Sequence, residues 1–208
     1  MDSSSNGRTL LFSGGLDSLA AAVLYADSGE PLQLVSHITR NSRTQQAQNQ
    51  LAELVKVRLR AVHHWQFFVS SRADDEDGLD HDVETSQRTR SFLFITLGAL
   101  AARRAGHHRL VLLAENGQMA IHLPLTSGRI GAFSTHTAHP DVLAPMEAFL
   151  NAALQYPIGI ENPFVHRTKA EVVRHVMDAL PESIPISESG SSLFQVGSGV
   201  KSSLPAMR

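Results

Sequence analysis

A short segment near the start of the chain, Ser-Gly-Gly-Leu-Asp-Ser at residues 13–18, combines residue types that bind phosphate groups. Gly14 and Gly15 let the backbone approach a ligand closely, and Ser13 and Ser18 supply hydroxyl groups. The apolar run before the segment predicts a strand, and the Ala- and Leu-rich run after it predicts a helix. Helix amides and the positive end of the helix dipole would therefore meet at this turn, which predicts an anion-binding site.

Asp17 is the unusual member of this segment, because its carboxylate would repel a polyphosphate. A cation between the two removes the repulsion, so we expect Mg²⁺ with the phosphates beside Asp17. The segment lacks both the Lys of a Walker-type loop and the glycine spacing of a dinucleotide-binding loop. A glycine turn with an Asp/Ser helix start is the plain structural alternative.

The elements around this segment alternate between strand-length apolar runs and helical patterns. The alternation predicts an α/β fold, with a five-stranded parallel sheet and helices on both faces, in which ligands bind beyond the carboxyl ends of the strands. The predicted strands are 9–12, 32–38, 62–69, 110–114 and 159–162. The predicted helices are 17–26, 43–59, 86–104, 145–154 and 168–179.

Composition restricts the class of protein. With 208 residues, 42% of them hydrophobic and 18% charged, the chain fits a single domain over 1–208. A net charge of −2 argues against strong nucleic-acid binding, and a small-molecule substrate suits it better. No apolar run is long enough to span a membrane, and we expect a cytoplasmic protein. The sequence has no cysteine, which excludes disulfides, thiolate catalysis and cysteine-bound metal.

Two long connections interrupt the pattern, and long loops in a compact domain are often functional. The first, 70–82, is acidic and is expected to be a solvated flap, with a metal-binding acidic cluster as the alternative. The second, 115–141, interleaves polar and apolar residues, which favours an ordered loop over a site.

Residues 13–18 match S-G-G-x-D-S, the pyrophosphate loop of the N-type ATP pyrophosphatases, and the chain resembles that superfamily. Within it, the chain is similar over nearly its whole length to the 7-cyano-7-deazaguanine synthases. The segments that carry this similarity are a helix start at Arg90, Leu-Leu-Ala-Glu-Asn-Gly-Gln at 112–118, His-Pro-Asp at 139–141 in place of Tyr-Pro-Asp, and a Thr-Lys-x-Glu-Val-Val segment at 168–173.

The resemblance implies a Rossmann-like fold of the adenine nucleotide alpha hydrolase type, with ATP and Mg²⁺ as cofactors. It also implies an ATP-dependent carbon–nitrogen ligase that transfers AMP to a small-molecule carboxylate on a 7-deazaguanine-like heterocycle. An amine nitrogen then displaces AMP. Ammonia would give an amide or a nitrile, and a protein amine is the other acceptor considered. The alternative function is a nucleotide-binding or regulatory subunit, within a larger pathway or defence complex, that has lost the chemistry.

The resemblance and the residue types together indicate three groups of site residues. The expected catalytic residues are Asp17, Lys169 and Arg90. The expected ATP-binding residues are Ser13, Gly14, Gly15, Asp17, Ser18, Ser36 and His37. The expected substrate-binding residues are Glu115, Asn116, Arg129, His139 and Asp141.

Several side chains in the matched segments can be interpreted either structurally or functionally. Thr168 and Glu171 are spaced as a capping box, which favours a structural role for both. Lys169 opposes the dipole of the same helix, so a role facing phosphate or substrate is as well supported as a structural one. Arg90 is expected to contact an anion, with simple solvent exposure as the alternative. Glu115 suits the ring N–H and amino groups of a purine-like substrate.

The end of the chain departs from the family pattern, in which four cysteines hold a structural zinc. Gly190, Val200, Ser203 and Ala206 occupy those positions, through natural divergence or engineering. The 11 histidines are not spaced to replace the cysteines, so we expect no zinc. Residues 181–208 would then form a degenerate knuckle, held by its own apolar residues or by a homodimer contact.

Overall fold

The computed structural model describes residues 7–26, 28–38, 42–58, 62–69, 88–111, 114–121 and 138–180. The strands are β1 (Arg8–Leu11), β2 (Leu32–His37), β3 (Val62–Phe67), β4 (Arg109–Val111) and β5 (Gly159–Glu161). The helices are α1 (Leu16–Ala26), α2 (Ser42–Arg58), α3 (Arg88–Ala105), α4 (Gly117–Ile121), α5 (Pro140–Leu154) and α6 (Lys169–Ala179). Arg129, the acidic connection 70–82 and the tail 181–208 lie outside the described residues.

The five strands form one sheet in the order β3-β2-β1-β4-β5, and every neighbouring pair is parallel. The predicted five-stranded parallel α/β fold is confirmed. The chain builds outward from β1 to β3 and then crosses to β4 on the other side of β1. This reversal creates a crevice beyond the carboxyl ends of β1 and β4, which is where open parallel sheets bind ligands.

The predicted helices on both faces of the sheet are confirmed by how the central strand distributes its side chains. Successive residues of a strand point to opposite faces. Leu10 and Phe12 pack into a core with α1, α2 and α6, whereas Leu11 packs into a second core with α3 and α5. Both faces of β1 are thus buried, as expected for the centre of a parallel sheet.

One helix begins earlier than the sequence pattern indicated. We predicted that α5 begins at Pro145, but it begins at Pro140, with His139 as its N-cap. Proline is well suited to the first position of a helix because its missing amide would have no helical partner there. Pro145 lies inside the helix instead.

The long connection 115–141 is also shorter than predicted. Residues 117–121 form α4, and residues 140 and 141 belong to α5. In the described part of the chain, no helix is both long and apolar enough to cross a membrane.

Candidate functional site

The segment 13–18 forms a tight loop between β1 and α1, at the crevice of the sheet. Gly14 has a φ of 78°, a conformation that glycine adopts without the steric cost of a Cβ atom. Ser13 Oγ accepts a hydrogen bond from the Gly15 amide at 3.3 Å and donates one to Ser18 Oγ at 3.2 Å. Ser18 Oγ donates in turn to the Gly15 carbonyl at 2.8 Å. The predicted strand, turn and helix are therefore present, and the two hydroxyls brace the turn.

Asp17 and Lys169 meet at this loop although 152 residues separate them. Lys169 Nζ donates to Asp17 Oδ1 at 2.7 Å. Asp17 lies in the first turn of α1, and Lys169 is the first residue of α6, which packs against α1. The dipole of α6 disfavours a cation at its first residue, and the ion pair with Asp17 compensates for this.

Thr168 and Glu171 set the position of Lys169. Thr168 Oγ1 accepts a hydrogen bond from the Glu171 amide, and the Glu171 carboxylate accepts one from the Thr168 amide at 2.7 Å. The predicted capping box is confirmed. The Thr168 amide, and secondarily the Thr168 hydroxyl at 2.8 Å, donate to the Glu171 carboxylate and lower its pKa.

Glu115 lies in the crevice just after β4, close enough to Asp17 to respond to its charge. Burial, and secondarily the negative charge of Asp17, raise the pKa of Glu115 to about 7. The Glu115 carbonyl accepts a hydrogen bond from Asn162 Nδ2 at 3.0 Å, which ties the segment after β4 to the one after β5. The next residue, Asn116, is buried. The predicted catalytic Asp17 and Lys169 and the predicted substrate-binding Glu115 thus share one location.

Other predicted site residues have structural contacts. Ser36 is buried, donates to the Phe12 carbonyl at 2.6 Å and lies 2.8 Å from His64 Nε2, so its hydroxyl is already engaged. His37 Nε2 lies 3.2 Å from the Val69 carbonyl oxygen, and its ring centroid lies 5.3 Å from that of Phe94.

The helix start at 139–141 supplies further contacts. His139 caps α5, and its Nδ1 accepts from the Asp141 amide at 3.2 Å. α5 leads into β5, so its start lies at the same edge of the sheet as the loop.

Arg90, the remaining predicted catalytic residue, lies in the first turn of α3, and the structure does not describe its side chain.

Gln48 of α2 is a loop contact that sequence reasoning missed. Its Nε2 donates to the Ser13 carbonyl at 2.9 Å, and the residue is only 5% exposed. A lone Gln in a polar helix carries no local signal for such a contact. Only the packing of α2 against the loop reveals it.

The donor set at the crevice suits a hard divalent cation. Asp17 and Glu115 offer carboxylate oxygens, which Mg²⁺ prefers, and a cation there would compensate both the burial of Glu115 and the negative charge of Asp17 that raise the Glu115 pKa. Among the described residues, no group of three His, Asp or Glu side chains is placed to hold a metal ion alone. Mg²⁺ typically completes its shell with substrate phosphates and water, so two protein carboxylates fit this ion.

Comparisons with known proteins give little further information. No family model matches this sequence, and no curated protein matches it significantly. Among solved structures, the chain is similar to a predicted subunit of tRNA methyltransferase from Methanocaldococcus jannaschii, at 12% identity and a TM-score of 0.46. The match covers 83% of this chain and 74% of that chain. A likeness at this level supports no statement about function.

Proposed function

We propose that this protein is an ATP-dependent carbon–nitrogen ligase similar to the 7-cyano-7-deazaguanine synthases. The observation that carries the proposal is the 2.7 Å contact between Lys169 Nζ and Asp17 Oδ1 beside the S-G-G-x-D-S loop. It joins the start of α6 to the start of α1 at the ligand-binding edge of the sheet. A loop that served only as a turn would not require a lysine and two carboxylates at its side.

ATP would bind with its phosphates at the turn between β1 and α1. The amides that begin α1 have no partner within the helix and would donate to phosphate oxygens. Asp17 and Glu115 would hold Mg²⁺, whose charge neutralises the triphosphate. Lys169, which balances Asp17, would stabilise charge on the departing pyrophosphate.

The proposed reaction has two steps. A carboxylate oxygen of the substrate attacks the α-phosphorus of ATP, and the bond to the bridging oxygen breaks with release of pyrophosphate. An amine nitrogen then attacks the activated carbonyl carbon, AMP leaves with the electron pair, and the nitrogen loses a proton to solvent. The chain contributes mainly by holding the reactants together and compensating charge.

The substrate would lie over the same edge of the sheet, between the segments that follow β4 and precede α5. Asn116, Arg129, His139 and Asp141 are the proposed contacts for the heterocycle and its carboxylate. Arg90, at the start of α3, is the proposed contact for an anionic group. The proximity of Glu115 to Asp17 favours the metal role for Glu115 over the substrate contact expected at first.

The test is ATP–pyrophosphate exchange across a panel of heterocyclic carboxylates. We expect Asp17→Asn and Lys169→Met to lower exchange by about 100-fold or more, the usual effect of removing a charge-stabilising group. Lys56→Met is the matched control, because Lys56 pairs with Glu53 on the same helix, α2, and should leave exchange unchanged. Full exchange by Asp17→Asn would contradict the proposal. ATP binding without exchange on any carboxylate would favour the regulatory alternative.

A further inference from the structure

Two consecutive carbonyl groups, one just before the loop and one at its first residue, are held by side chains from other elements. Ser36, at the carboxyl end of β2, donates to the Phe12 carbonyl at 2.6 Å. Gln48, from α2, donates to the Ser13 carbonyl at 2.9 Å. The loop itself supplies neither hydrogen bond, so its backbone orientation depends on β2 and α2.

Ser36 is itself in contact with His64 of β3. His64 Nε2 lies 2.8 Å from Ser36 Oγ. Because the Ser36 hydrogen is donated to Phe12, the His64 ring must donate at this contact. The ring also meets the Phe12 ring edge-on, with centroids 6.1 Å apart. His64 of β3, Ser36 of β2 and Phe12, the residue after β1, thus form one chain of contacts that ends beside the loop.

Gln48 is packed tightly against the loop. A Cβ atom added to Gly14 would lie 2.6 Å from Gln48 Cγ and 3.0 Å from Gln48 Cα. Gln48 Oε1 is buried without a hydrogen-bond partner in the described part of the chain. Leaving a buried acceptor unpaired is unfavourable, so the position of this amide calls for a reason beyond packing.

We propose that Gln48, Ser36 and His64 are positioning residues that preorganise the loop for phosphate. In a planar trans peptide, the carbonyl and the following N–H point in opposite directions. Holding the Phe12 and Ser13 carbonyls toward β2 and α2 therefore turns the Ser13 and Gly14 amides the other way. A flipped peptide would present an oxygen to the phosphate instead of an N–H donor. The inference rests on the proposed binding of ATP at this loop.

The experiment measures binding of ATP and of inorganic pyrophosphate, each with Mg²⁺, by calorimetry. Gln48→Met keeps the side-chain volume and removes the donor. Ser36→Val and Ser36→Thr have the same shape and differ in the hydroxyl. We expect Gln48→Met and Ser36→Val to weaken both ligands about five- to tenfold, as loss of one hydrogen bond predicts, and Ser36→Thr to bind more tightly than Ser36→Val. Gln46→Met, on the exposed side of α2, is the control and should bind normally.

Exchange kinetics and thermal unfolding complete the test. Where exchange is measurable, a preorganised loop predicts a fall in kcat as well as a rise in the KM for ATP, whereas a general loss of folded protein would lower kcat alone. Equal binding by wild type, folded Gln48→Met and folded Ser36→Val would overturn the inference and leave the ligase proposal intact. Weakened binding by these variants, with no exchange by wild type on any carboxylate, would support the inference and overturn the ligase. No binding of either ligand by wild type would overturn both.

Discussion

Asp17 interacts with both of the other ionisable residues at the crevice. Asp17 is balanced by Lys169 at 2.7 Å, and its negative charge contributes to the raised pKa of Glu115. Lys169 and Glu115 lie in separate segments of the chain, after β5 and after β4. The protonation state of Glu115 therefore depends on the burial of the segment after β4 and on the position of Asp17.

Glu115 gives the protein a specific pH dependence of stability. The folded protein holds the Glu115 proton up to about pH 7, whereas the unfolded chain releases it near pH 4.5. The resulting stabilisation is fully present below pH 4.5 and is lost as the pH rises through about 7. Glu115→Gln cannot titrate, so the unfolding free energy of wild type relative to this variant should fall over that range.

Urea denaturation between pH 4 and pH 8, in the presence of a chelator, measures this difference. Gln46→Met is the control, because Gln46 is exposed on α2 and the substitution changes no titratable group. A constant difference between wild type and Glu115→Gln would show that the Glu115 pKa is not raised.

The turn between β1 and α1 requires a glycine at Gly14, because Gln48 of α2 lies close to it. Alanine at Gly14 adds two costs, a positive φ of 78° and a clash with Gln48. Alanine at Gly29 adds only the first, since Gly29 has a φ of 71° and open space around it. We expect about 1 kcal/mol of destabilisation for Gly29→Ala, and a further 1–3 kcal/mol or so for Gly14→Ala.

Chemical denaturation gives the unfolding free energy of each glycine variant, and the difference between the two losses of stability is the cost of the clash. Gly14→Ala should also weaken ATP binding, whereas Gly29→Ala should not, because Gly29 lies in the turn before β2 at the opposite edge of the sheet. Adding Gln48→Ala to Gly14→Ala should recover part of the lost stability. Equal stabilities for the two single variants would mean that α2 does not press on the loop.

At the scale of the whole molecule, Arg8 at the start of the central strand contacts three distant segments of the chain. Arg8 of β1 donates to Glu30 and to Glu161 of β5, each at 2.7 Å, and its guanidinium lies 4.4 Å from the centroid of the Tyr25 ring. Because β4 lies between β1 and β5, this side chain reaches across a neighbouring strand. The network ties the start of β1 to β5 and to the segment before β2, and Arg8 lies at the opposite end of β1 from the loop at 13–18.

Arg8→Met should therefore lower stability and leave ligand binding unchanged. The guanidinium is nearly buried, but both carboxylates are about one-third exposed, at 32% and 37%. We expect a loss of about 2–3 kcal/mol, less than for a fully buried pair. Arg103→Met, at the exposed end of α3, should change stability by at most about 0.5 kcal/mol. Denaturation midpoints and ATP affinity test both parts, and weaker ATP binding by folded Arg8→Met would contradict this separation of stability from binding.

Local sequence was enough to predict the sheet class, the loop at 13–18 and the capping box at Thr168. Strand alternation, turn residues and helix caps act over a few neighbouring residues, so their signals can be read along the chain. The same local signals failed at α5, where Pro140 and Pro145 both offered a helix start. Local preferences favour either proline, and the His139 cap with the packing of α5 on α3 selects the first.

Only the tertiary structure decided which side chains surround the loop. The strand order β3-β2-β1-β4-β5 places the end of β4 beside the end of β1, and the end of β5 on the far side of β4. It thereby brings Lys169 to Asp17 across 152 residues and Glu115 within reach of the same carboxylate. Gln48 reaches the Ser13 carbonyl only because α2 packs over the loop. Contacts of this kind follow from how distant elements pack, and no period or spacing within a single element specifies them.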